Sequence, residues 1–180
     1  MVILNFLIWF STLWTGGFDL LNEKQIRRVI ESTLDDIGLN SPEAVELIYN
    51  TGLVESRYTY VMQVGGSNIA RGMWQCEPWV AVDICNNYLK YRESLMKKVA
   101  KACKLEWKYF LEPNEEDWRF ILTTNMAAQI AMCRLHYRRV PKRLPKTLEE
   151  MAHYWKDFYN TSKGAGTPEK FLKMVKDKNA

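Results

Sequence analysis

The chain has 180 residues, with 25 lysines and arginines against 21 acids, and its net charge of +4 permits only weak attraction to anionic polymers. A hydrophobic share of 47% beside 26% charged residues excludes a disordered or collagen-like chain. The length suits one domain that buries most of its apolar surface without disulfides or metals. The four cysteines, Cys76, Cys85, Cys103 and Cys133, form no C-x-x-C pair, and His136 and His153 supply no zinc-ligand spacing. They read as free buried thiols in a helical pattern, and no metal or other cofactor is expected.

Met1 to Phe18 carries no charged side chain, and Phe6 to Phe10 is continuously apolar. The segment is shorter than the ~20 residues that span a bilayer. It also lacks the basic start and small-residue cleavage site of a signal peptide. Residues 1–18 therefore read as a core segment or a docking segment for a partner, with membrane insertion or surface attachment and a signal role left open. Trp9 and Trp14 suit either a protein groove or a lipid interface.

From Ile26 the pattern is helical. Ile26, Val29, Ile30, Leu34 and Ile37 recur at three- and four-residue steps, and Gly38 ends the run. Ser41-Pro42-Glu43 supplies a capping hydroxyl, a first-turn proline and a first-turn acid, so a second helix is expected from there towards Glu55. Residues 59–76 break the periodicity with Gly65-Gly66 and Arg71-Gly72, which predicts an irregular or small β insert.

Helical pattern resumes at Pro78 and is expected to reach Cys103 with a bend. Asn114 to Asp117 caps another long helix carrying Phe120, Ile121, Ala127, Ile130, Ala131 and Leu135, stopped by Pro141 and Pro145. Thr147 to Glu150 forms a capping box for a helix with Tyr154, Trp155 and Phe158, and Thr167-Pro168-Glu169 opens a last short helix. The expected architecture is a mainly α domain over residues 19–180 with one insert.

A catalytic carboxyl needs a rigid mount and surroundings that hold its proton at working pH. Glu55 has the mount, near the end of a helix whose terminal carbonyls push a carboxyl pKa upward. Alone, a glutamate there is ordinarily a solvated surface group. Its company is more specific. Glu55-Ser56-x-Tyr58, then Ala70-Arg71-Gly72-Met73-Trp74-Gln75 with Pro78, resembles the signature of lytic transglycosylases and goose-type lysozymes. Asn125 to Gln129 is similar to a third element of that family, and Tyr159-Asn160 followed by Gly164 to its Tyr-Asn element. The stretch from Tyr154 to Thr167 is similar to wall-degrading domains carried in tailed-phage particles.

The resemblance implies an α+β lysozyme-like fold and cleavage of peptidoglycan glycan strands between N-acetylmuramic acid and N-acetylglucosamine. Glu55 would be the single catalytic acid, then base, closing a 1,6-anhydro ring. Ser56, Gln75 and Tyr159 would bind substrate or set the carboxyl, while Gly72, Met73, Trp74, Asn125 and Asn160 shape the site, Gly72 by letting the glycan approach closely. Plainer roles stand beside these: a helix-end bond for Ser56, a turn for Gln75, a buried aromatic for Tyr159, packing for Met73 and Trp74. A two-carboxylate hydrolase would need a second acid, for which Glu77 and Asp83 are the nearby candidates.

The family likeness further implies a virion protein of the tail or the ejection apparatus, acting on the host wall in the periplasm and contacting other virion proteins through residues 1–18. Its rivals are a structural particle component with little or no activity, and a membrane-active ejection component. Arg134, Arg138, Arg139, Lys142, Arg143 and Lys146 read as a solvated helix end or as a surface for anionic envelope polymers. No recognised nucleic-acid motif accompanies them, so specific nucleic-acid binding is not expected.

Overall fold

A computed structural model describes residues 22–160 and 164–178, and the apolar segment 1–18 lies outside the described residues. Within that range the chain is mainly helical. α1 spans Glu23–Ile37, opened by the Asn22 side chain accepting from the Gln25 amide and closed by Gly38 at φ 71°. α2 spans Pro42–Ser56, with the Ser41 hydroxyl accepting from the Ala44 amide at 3.1 Å. Each such cap is worth about 1 kcal/mol.

The expected run from Pro78 to Cys103 is two helices, α3 at Pro78–Asn87 and α4 at Glu93–Cys103, separated by a 3-10 turn at Leu89–Tyr91. Asn86-Asn87 are weak helix formers. Tyr88 then leaves helical geometry at φ −132°, and Leu89 anchors the turn in the core. After the short α5 (Lys108–Leu111), the second expected long helix is also divided, into α6 (Glu115–Thr124) and α7 (Met126–Arg138). Asn125 makes the break. At φ −115° its side chain accepts from the Ala128 amide at 3.0 Å and donates to the Cys103 carbonyl at 2.8 Å. Phe120, expected on the apolar face, is 69% exposed.

The capping box at Thr147 and Glu150 opens α8 (Leu148–Trp155), which continues as one wider π-helical turn at Lys156–Asn160. α9 (Pro168–Lys178) packs on α8 and α2. Residues 59–76 hold only two isolated antiparallel bridges, Met62 with Arg71 and Arg71 with Cys76, and no strand occurs among the described residues.

α7 is the axle of this arrangement. Ala128 to Leu135 are buried on every face, and α1, α2, α3, α4 and α6 all pack against it. A helix buried all round belongs to a core rather than a surface. Arg134 is drawn into it: the residue is 7% exposed and its Nε donates to the Leu39 carbonyl at 3.3 Å. Arg139 pairs with Asp83. The basic run is therefore not one continuous solvated surface. All four cysteines are free and buried. Among the described residues no helix is long and apolar enough to cross a membrane, and no His, Cys, Asp and Glu cluster is placed to hold a metal ion.

Candidate active site

The last turn of α2 delivers Glu55 to the edge of a cavity of about 670 Å³, which Gln75, Glu77, Asp83, His136 and Tyr159 also line. Immediately afterwards Arg57 and Tyr58 both adopt left-handed conformations, at φ 54° and 55°. Left-handed backbone is costly for residues with side chains, so neighbouring contacts must hold it. They do. The Ser56 hydroxyl accepts from the Tyr58 amide at 3.1 Å and donates to the Met73 carbonyl at 2.7 Å, while the Tyr58 hydroxyl donates to the Tyr49 carbonyl at 2.6 Å. Gly52 supplies the space, since a Cβ there would lie 2.6 Å from the Tyr58 hydroxyl.

Ser56 is thus buried and binds backbone, with no bond to the Glu55 carboxyl and no place in the cavity lining. Its expected substrate role is replaced by a structural one: it ties the end of α2 to the turn that carries Gln75. Gly72 lies in the same turn. Its close approach is to Gln129, whose side chain a Cβ would meet at 2.5 Å, and it is not among the cavity-lining residues. Gln129 Oε1 accepts from the Met73 amide at 2.9 Å, so α7 holds the turn from behind. Trp74 is buried and donates to the Ile48 carbonyl at 2.8 Å, and Met73 packs on the core.

Gln75 does reach the cavity. It sits at φ 46°, its Nε2 donating to the Gly72 carbonyl at 2.7 Å. Tyr159 and Asn160 reach it from the π-helical turn. The Tyr159 hydroxyl donates to the Trp74 carbonyl at 2.6 Å, so it fixes the Gln75 turn and makes no bond to Glu55. Asn160 accepts from Lys156 Nζ at 3.0 Å. Asn125 stays behind the site as the cap of α7.

Glu55 is partnered by Trp155, which the sequence pattern placed on a helix and within the stretch similar to phage wall-degrading domains, with no role at the site. Its indole Nε1 donates to Glu55 Oε1 at 2.8 Å, and its ring is buried against Phe171 of α9 at 5.4 Å. The available signal was spacing, since Trp155 lies one helical turn before Tyr159 and so shares its face. The Glu55 carboxyl is raised from 4.5 to about 7 chiefly by burial, while the Trp155 bond and the Lys170 cation pull it the other way. Burial, more than the helix terminus, provides the shift.

His136 was likewise missed as a lining residue. Burial, then Arg139, lowers its pKa to about 4, so its ring is neutral where Glu55 titrates, and it packs tilted at 36° with its centroid 4.9 Å from that of Tyr159. The other two carboxylates are engaged. Asp83 pairs with Arg139, accepts from Asn87 at 2.6 Å, and is held below the usual carboxylate range by those contacts, the Asn87 bond foremost. Glu77 precedes α3 without capping it and accepts instead from the Trp79 indole. Tyr60 and Trp79, which the sequence reading did not single out, complete the rim.

The arrangement can donate a proton near neutrality from one carboxyl whose second oxygen, Oε2, is free of the Trp155 bond. No family model, curated protein or solved structure matches the chain.

Proposed function

We propose that this chain is a peptidoglycan lytic transglycosylase with a lysozyme-like body, in which Glu55 is the single general acid and base. The observation that carries the reading is the Glu55 carboxyl itself: at the edge of a large cavity, anchored through one oxygen, and raised to about 7 by burial. The ordered matches to the transglycosylase signature support it, as does the convergence of Glu55, Gln75 and Tyr159 on one cavity.

Protonated Glu55 gives its proton to the glycosidic oxygen as the bond from muramic acid C1 breaks. The resulting carboxylate takes the proton of the C6 hydroxyl, whose oxygen bonds to C1 and closes the 1,6-anhydro ring. One group serves twice, and no water is consumed. The cation near C1 in the transition state resembles that of other glycosidases.

Glu77 borders the same cavity, and this favours one second reading, a muramidase that delivers water to C1 with the same acid. The engagement of Asp83 and Glu77 by neighbours supports the single-acid path. The likeness to virion-carried wall-degrading domains extends the proposal to a tailed-phage particle that opens the host wall during genome delivery. Mass spectrometry of fragments released from purified peptidoglycan tests the reaction. Anhydromuramyl ends from the wild type, absent with Glu55→Gln, are expected; reducing ends identify the hydrolase, and no release by folded wild-type protein overturns both.

A further inference from the structure

The rim of the cavity carries two aromatic rings that the proposed chemistry leaves without a task. Tyr60 is 49% exposed and Trp79 51% exposed, and both line the cavity that holds Glu55. They come from different elements, Tyr60 from the start of the irregular segment and Trp79 from the first turn of α3. Each has a firm mount. Tyr60 follows the left-handed pair Arg57 and Tyr58, which the Ser56 and Tyr49 bonds hold. Trp79 follows the buried Pro78, and its indole N–H donates to the Glu77 carboxylate. That bond lies in the plane of the ring, so it fixes the edge without using either face.

We infer that Tyr60 and Trp79 form an aromatic-walled subsite that takes the C–H face of an N-acetylated amino-sugar ring of the glycan strand beside Glu55. A pyranose ring has a polar rim of hydroxyl and acetamido groups and a flatter, apolar C–H face. The face suits the negative quadrupole of an aromatic ring, and the rim suits hydrogen-bonding neighbours. Gln75 and Asn160 supply amides on the same cavity wall. The inference rests on the glycan reading of this groove and adds the residues that grip the strand.

Calorimetric titration of chitotetraose, an uncharged and peptide-free probe, into the full chain carrying Glu55→Gln tests it without turnover. Adding Trp79→Ala or Tyr60→Ala is expected to weaken binding about tenfold each, and Trp79→Phe to retain most of it. Both side chains are half exposed, so circular dichroism should match the parent; if Trp79→Ala fails to fold, Tyr60→Ala and Trp79→Phe carry the comparison. Unchanged affinity in the variants, or no binding of chitotetraose by the parent, overturns the subsite. Muropeptide release by the wild type alongside either result leaves the lytic reading standing and removes only the subsite. Binding lost in the variants without any release keeps the subsite and removes the lytic reading.

Discussion

At Glu55 the folded chain binds a proton more tightly than the unfolded chain does, because burial raises the carboxyl from 4.5 to about 7. The sign follows from linkage: the associated stability is fully present below pH 4.5 and is lost as pH rises through about 7. The loss is at most about 3 kcal/mol. Glu55→Gln removes the titration, so its urea midpoint relative to wild type should rise across that window; parallel curves for the two proteins would show an unshifted carboxyl. Trp155 acts on the same group in the opposite direction, its N–H favouring the ionised form. Trp155→Phe keeps the ring against Phe171 but deletes the donor, so the alkaline limb of the pH–rate profile should move up by as much as about one unit. A merely structural role would lower the rate without moving that limb.

At the scale of elements, the site depends on how α7 begins. Asn125 caps α7, fastens it to the Cys103 carbonyl, and thereby sets the position of Gln129, which holds the Met73 amide. Asn125→Ala should cost about 2 kcal/mol in urea unfolding, with the slope unchanged, because one cap and one further hydrogen bond are lost. The turn carrying Gln75 should loosen with it, read as a higher KM on soluble glycan. Caps were the most legible feature of the sequence: Ser41, Asn114 and Thr147 open helices where their side chains predict, since capping is a local interaction. The breaks at Tyr88 and Asn125 were not legible as such. Apolar residues continue across both, and what ends the helices is a buried Leu89 in one case and a bond to the distant Cys103 in the other. Glu55, Gln75 and Tyr159 were found through motif order, whereas Trp155 and the inward turn of Ser56 depend on contacts that cross the chain by 100 and 17 residues.

For the whole molecule, the core accounts for the cysteines. Burial pushes the Cys76, Cys85 and Cys103 thiols up to about 12 and Cys133 upward as well, so none offers a thiolate at neutral pH. A thiol reagent such as DTNB should leave the native protein unmodified and titrate four groups per chain in guanidinium; rapid reaction of the native chain would show that the core opens readily. The same core sets α2, the Gly72–Gln75 turn and the π-helical turn around one cavity, and it makes one half-buried carboxyl the centre of the proposed chemistry. The pH dependence of peptidoglycan solubilisation by wild type and by Glu55→Gln bears on that centre most directly. A wild-type rate that falls as pH rises through about 7, with no solubilisation by the variant at any pH, is the predicted result. Solubilisation that persists in Glu55→Gln, with the same pH profile as wild type, would contradict it.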